Sequence, residues 1–279
     1  MCPPKSKKDS VLIFSFFFFG ICGCTSTSKP PKLRFEVVTS SAYSPNNDYR
    51  QSLLEWKRYY QRCTNDSLFA DAFNLQLQDQ VYIGSINNRT GIDINKGTLL
   101  FDTSRHFVNV FKLLSIQNAF NCYDTMDLAG NLKASFYNQV VEGLNASPGY
   151  TTLAAKMDSS QMKIRVNTLY TIGLVPEKLI ELFNTTKDTS LIHFKELLLQ
   201  PGNVLLAQTV EILGFSADFP LKNKLSPAKQ EQLTKGVNFS LKNQADNASL
   251  ILLANNNLRI QLNKRYTVLG KFLQLMSNE

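Results

Sequence analysis

The chain has 279 residues, 43% of them hydrophobic, and carries 30 Lys and Arg against 22 Asp and Glu for a formal net charge of +8. That length allows one large or two small domains with a real hydrophobic core. Beyond residue 24 the longest apolar run, Leu250 to Ala254, is too short to cross a bilayer, which excludes a multi-span helical membrane protein. The charge is uneven: residues 1–32 hold +4, residues 33–215 hold −1, and residues 216–279 hold +5. A basic C-terminal quarter can face anionic head groups or an acidic partner, or serve only as a solvated face.

In chain order, Lys5, Lys7 and Lys8 precede an apolar run from Val11 to Phe19, which ends in Gly20-Ile21-Cys22-Gly23-Cys24. A positive segment, a short apolar core and small residues at the exit describe an export signal, and the run is shorter than the ~20 residues that span hydrocarbon as a helix. The tetrapeptide Ile21-Cys22-Gly23-Cys24 resembles the lipobox of bacterial lipoproteins, with Cys22 where Ala or Ser is more usual. The resemblance covers residues 1–24 alone. It implies cleavage after Gly23, a lipid such as palmitate on Cys24, and a membrane-anchored envelope protein. Thr25 stands where Asp marks inner-membrane retention, so the resemblance further implies the outer membrane in a Gram-negative host. An ordinary secretory signal and an uncleaved anchor are the alternatives. Six N-x-Ser/Thr sequons, at Asn65, Asn88, Asn145, Asn184, Asn238 and Asn247, keep a glycosylating host open. An exported protein is a poor candidate for nucleic-acid binding.

Residues 24–32, with Pro30-Pro31 and no apolar residue after Cys24, read as an extended tether of up to ~25 Å. Alternation of Leu33, Phe35 and Val37 predicts a strand over 33–39. Asp48 caps a helix to about Arg62 with Leu53, Trp56 and Tyr60 on one face, and a shorter helix is expected at 67–73. Even spacing of Leu75, Leu77, Val81 and Ile83, the turn at Asn87–Gly91, and Ile92 and Ile94 predict a small hairpin over 75–100. From Asp102 the pattern reads as helical, beginning with Phe107, Val110, Phe111 and Leu114. Further helices are expected at about 132–144, 151–157, 159–173, 176–184, 189–199, 202–214, 227–243, 246–254 and 258–276. The loop at 145–150 is a candidate internal boundary. The expected fold is therefore mainly α: a multi-helix array or bundle with a small N-terminal β element, forming a single domain over 33–279. The last helix would place Leu258, Leu262, Tyr266, Leu269, Leu273 and Met276 along one side, either facing the core or meeting a membrane or partner.

With Cys2 and Cys22 in the signal and Cys24 lipidated, Cys63 and Cys122 remain. An exported pair is a candidate disulfide, and two buried thiols are the alternative. His106 has Asp102 one helical turn before it and His193 has Glu196 three residues after it. Neither cysteine sits in a recognisable nucleophile signature, and no H-E-x-x-H or C-x-x-C marks a metal site. Ser226-Pro-Ala-Lys229 formally matches S-x-x-K, yet its companions are missing and Ser226-Pro227 reads as a helix cap followed by a first-turn proline. The P-loop, G-x-S-x-G and G-x-G-x-x-G are absent from the sequence. No catalytic, metal or cofactor residue and no small-molecule ligand is assigned. The expected function is a lipid-anchored envelope protein with a helical binding, scaffold or accessory domain, whose partners are the membrane and an envelope protein or anionic surface. An envelope hydrolase acting on cell-wall or lipid substrates is the alternative, and a carrier of an apolar ligand is a weaker third.

Overall fold

The structure is a computed structural model that describes residues 32–39, 47–66, 71–78, 83–88, 99–101, 110–111, 113–122, 125–126, 130–241 and 244–278. The signal run, Cys24 and the tether up to Pro31 lie outside these residues. So do His106 and most of the segments expected as helix at 67–73 and from Asp102.

The mainly helical expectation is overturned. Among the described residues, fourteen strands form two antiparallel sheets, one of eight strands and one of six, with helices packed around them. The first sheet contains β1 (Lys32–Val37), β2 (Phe73–Gln78), β3 (Ile86–Asn88), β4 (Leu99–Phe101), β5 (Ser115–Asn121), β8 (Thr168–Leu174), β9 (Asn203–Leu213) and β14 (Tyr266–Asn278). The second contains β6 (Thr125–Met126), β7 (Lys163–Arg165), β10 (Ser216–Pro220), β11 (Val237–Leu241), β12 (Gln244–Leu252) and β13 (Asn257–Leu262). The helices are α1 (Asn47–Thr64), α2 (Gly130–Ala146), α3 (Leu153–Lys156), α4 (Pro176–Thr185), α5 (Thr189–Leu199) and α6 (Pro227–Thr234).

Strands β9 and β14 are the spine of the first sheet, paired from Tyr266–Ile212 to Leu273–Leu205. Each takes two shorter strands on its other edge: β3 and β8 on β9, and β1 and β2 on β14. The first half of β9 is buried on both faces. Leu205 joins a core with Leu179, Phe183, Leu191, Phe194 and Leu198 of α4 and α5, while Val204 and Leu206 join Val38, Phe73 and Phe272. A strand buried on both faces is a nearly continuous apolar run, and periodicity alone does not separate that from a buried helix. Strand β14 misleads in another way. Its pairing with β9 shifts register between Thr267 and Leu269 and again between Lys271 and Phe272. The extra residue is Val268 of β14 in the first shift and Ala207 of β9 in the second, so the alternation of β14 slips once; with Leu269 in the main core and Phe272 on the opposite face, Tyr266, Leu269, Phe272 and Leu273 fall at spacings that imitate a helix. The expected helix over 258–276 therefore resolves into β13, a turn and β14, and its proposed membrane-facing stripe does not exist.

The expected helices at 159–173, 202–214 and 246–254 are likewise β7 with β8, β9, and β12. The helix expected at 227–243 stops at Thr234, after which Gly236, at φ 79°, turns the chain into β11. The hairpin expected over 75–100 is also revised, because β2 pairs with β14 and β3 pairs with β4 and β9. Residues Lys32–Glu279 form one compact unit, and the loop at 145–150 connects α2 to α3 within it.

The largest core lies between the inner face of the second sheet, α1, α2 and the far half of the first sheet. Helix α2 enters it with Phe136, Val140 and Leu144 at helical spacing. Phe136 packs edge-on against Phe215, with ring centroids 4.9 Å apart. Gly143 lies against β11 so closely that a Cβ there would run into the Ser240 carbonyl oxygen. Alanine would favour the helix by ~1 kcal/mol, but it must push backbone aside, at about 1–3 kcal/mol for overpacking. Gly143→Ala should therefore lower the thermal midpoint by a few degrees, and an unchanged or raised midpoint would show that β11 yields freely.

Candidate functional site

The second sheet buries one face and offers the other to solvent. In β13, Leu258, Ile260 and Leu262 point into the core, and so do Ala217 and Phe219 of β10 and Ile164 of β7. Alternation then sends Arg259 and Gln261, Ser216 and Asp218, and Lys163 and Arg165 to the opposite face. Register lines them up in two rows across the strands. One row runs Lys163, Asp218, Arg259 and Ile251, and the other runs Arg165, Ser216, Gln261 and Ser249.

Asp218 organises this face. Its carboxylate accepts two hydrogen bonds from Arg259, Nε to Oδ1 at 2.7 Å and Nη2 to Oδ2 at 2.9 Å, in the parallel fork that a guanidinium and a carboxylate favour. The Asp218 side chain is 8% exposed and that of Arg259 28% exposed. Its hydrogen bonds to the Asp218 carboxylate hold the Arg259 guanidinium above its ordinary pKa. Lys163 and Arg165 are exposed and have no carboxylate partner among the described residues. Among the described residues one carboxylate thus balances one of three cations, which leaves two positive charges beside the hydroxyl and amide groups of Ser216, Ser249 and Gln261. Chemically, it can receive an anionic group: Arg165 offers a planar fork and Lys163 a point charge.

A second polar cluster lies on the first sheet. Glu211 of β9 accepts a hydrogen bond from Arg265 Nη1 at 3.2 Å and one from Thr209 Oγ1 at 3.4 Å, and the Arg265 guanidinium lies 3.8 Å from the Tyr170 ring centroid. Burial raises the Glu211 pKa, and Arg265 only partly opposes it. A carboxyl whose folded pKa is raised contributes stability that is present below its unfolded pKa, ~4.3, and lost as pH rises through the folded value. The stability of wild type relative to Glu211→Gln should accordingly fall as pH rises through the carboxylate range. Parallel urea titrations at several pH values check this; a constant difference would contradict it.

Cys63, in the last turn of α1, and Cys122, just after β5, form a disulfide with Cα atoms 5.5 Å apart. Both cysteines are thereby withdrawn from any nucleophilic role. His193 is exposed on α5 with Nδ1 3.8 Å from Glu196. Ser226 caps α6 through its carbonyl, which accepts from Gln230 N at 2.9 Å. Lys229 turns instead to the Gly149 carbonyl at 2.8 Å, so the S-x-x-K pair is not assembled for chemistry. Among the described residues no group of three or more His, Cys, Asp or Glu is placed to hold a metal ion, and no helix is long and apolar enough to cross a membrane.

The sequence matches no protein-family model and no curated protein. Among solved structures, a bacterial gasdermin from Bradyrhizobium tropiciagri is similar to it at 10% identity and a TM-score of 0.35, over 72% of this chain and 83% of that one. A likeness that distant carries no argument about activity, so the functional reading rests on the residues themselves.

Proposed function

We propose that the chain is an exported envelope protein, anchored through a lipid on Cys24, whose β-rich body works by binding an anionic partner on the second sheet. The anchor rests on the lipobox-like Ile21-Cys22-Gly23-Cys24 after its apolar run, and a disulfide between Cys63 and Cys122 fits an oxidising compartment. The observation that carries the binding part is the polar face where Lys163 and Arg165 have no carboxylate partner among the described residues. In a Gram-negative host, Thr25 makes the outer membrane the expected destination.

The test is expression of the full chain in a bacterial host fed an alkyne fatty acid. Wild type is expected to take up the label and fractionate with membranes, and Cys24→Ser to lose both. Labelling that survives Cys24→Ser would sink the anchor. For the binding part, the unlipidated Cys24→Ser protein is expected to sediment with anionic phospholipid vesicles at low salt and much less with neutral ones. Lys163→Glu/Arg165→Glu should abolish that difference; equal sedimentation by the charge-reversed protein would remove this face from the reading.

A further inference from the structure

The polar face of the second sheet has a low point at Ser216. Ala217 beside it points into the core, so Ser216 points outward, yet it is only 8% exposed. Its cover comes from longer polar neighbours. Arg165 of β7 and Gln261 of β13 stand directly opposite it on either side, each one strand spacing of about 4.8 Å away. Two residues before Ser216, the Asn167 side chain lies over Gly214, where a Cβ would run into it. Two residues after Ser216, Asp218 turns both carboxylate oxygens to Arg259. A short hydroxyl side chain thus sits at the bottom of a shallow cradle walled by a guanidinium, two amides and a closed ion pair.

We propose that this cradle seats a phosphate group, held by Arg165, Ser216, Gln261 and Asn167. The proposal rests on the reading that this face meets an anion, and it adds which anion and where. Among the described residues, none of these four side chains makes a hydrogen bond to another residue. Their surroundings differ in this respect. Asp218 and Arg259 satisfy each other, and the Ser249 hydroxyl on the next strand meets Asn263 Oδ1 at 3.2 Å. The unengaged donors are therefore gathered around Ser216, which as a largely covered hydroxyl has the most to gain from a partner.

The donor set selects the ligand. Arg165 presents a planar fork to two oxygens, the Ser216 hydroxyl donates from below, and the amides of Gln261 and Asn167 donate from two further sides. Donors that approach from several sides suit a tetrahedral oxyanion, whereas a planar carboxylate would fill the Arg165 fork and leave the others idle. Lys163, two residues from Arg165 on the same face of β7, adds a second positive charge, enough for a phosphodiester or a phosphate monoester. Asp218 is the carboxylate beside the cradle, and its charge is offset by the guanidinium that it holds.

The test uses the full chain carrying Cys24→Ser as parent and adds Arg165→Lys or Ser216→Ala, two changes that keep the net charge. Vesicles of phosphatidylglycerol in phosphatidylcholine supply a phosphodiester, and inorganic phosphate, compared with sodium chloride of equal ionic strength, supplies the free anion. Each variant is expected to melt with the parent in chloride and to bind the vesicles about tenfold more weakly, the loss of one hydrogen bond to a charged group. Inorganic phosphate is expected to raise the thermal midpoint of the parent by more than that of either variant. Phosphate also stabilises folded chains by exclusion from their surface, and the variants share that part with the parent. A loss on vesicles alone assigns the seat to a lipid headgroup, and a midpoint difference alone assigns it to a free phosphate. If either variant matches the parent in both assays, the seat is overturned. The reading of the face is judged separately, because Lys163→Glu/Arg165→Glu would still abolish the preference for anionic vesicles if diffuse charge alone drew the protein to them.

Discussion

Replacing Cys63 and Cys122 together by serine is expected to lower the unfolding free energy by about 4 kcal/mol, since the bond closes a loop with a sequence separation of 59. Domains are stable by only ~5–15 kcal/mol, so this is a large share of the total. The location adds to the loop-closure effect. Helix α1 is held in the main core by Leu53, Trp56, Tyr59 and Tyr60, whereas most side chains of β5 lie open to solvent. The disulfide transfers the rigidity of the buried helix to the end of the exposed strand. Cys122 is itself 5% exposed, so serine also places a hydroxyl in an apolar setting. For a body of this size the thermal midpoint should drop by ~10 °C. Reduction of the wild-type protein should reproduce most of the change, whereas a double variant that melts with wild type would show that the bond constrains nothing. Hydrogen exchange should rise first along β5, where the constraint is lost.

The sequence revealed those parts of the fold whose pattern is local. In α1, Leu53, Trp56 and Tyr60 share the buried face that helical spacing predicts, and Pro176–Thr185 and Thr189–Leu199 are helices close to the expected bounds. Leu33 and Phe35 alternate into the core as β1 requires. What could not be read depends on pairing. Strand β9 looks helical because both its faces are covered, and β14 looks helical because its alternation slips at Val268 and both its faces are then buried. The polar face of the second sheet escaped the sequence for a related reason. Residues two apart point in widely different directions on a helix but share a face on a strand. A helix over 159–173 would separate Lys163 from Arg165, and one over 258–276 would separate Arg259 from Gln261. Only cross-strand register brings Lys163, Asp218 and Arg259 into one row, and register is not a property of any single stretch. The Asn255-Asn256 turn before β13, with Asn256 at φ 58°, was the one local sign that the chain reverses there.

The Asp218–Arg259 pair should show how much of that face is structural. Asp218→Ala is expected to cost about 3 kcal/mol, because it leaves a largely covered guanidinium without the two bonds that satisfy it. Arg259→Ala should cost at least as much, since the carboxylate left behind is the more buried partner. Replacing both, as Asp218→Leu/Arg259→Met, should recover most of the loss, for an apolar pair of similar volume has no desolvated charge to satisfy. Denaturant titrations of the four proteins check this; a double variant no more stable than either single one would mean that water already satisfies both groups. The same variants separate stability from binding. Asp218→Ala removes the only carboxylate among the described residues of the row and leaves Lys163, Arg165 and Arg259 without it, so the protein should bind anionic vesicles more tightly while folding less stably. Double replacement restores the wild-type excess of two positive charges and should restore wild-type binding too. If affinity instead followed stability across the set, the face would be acting as a support for the fold and not as the surface that meets the partner.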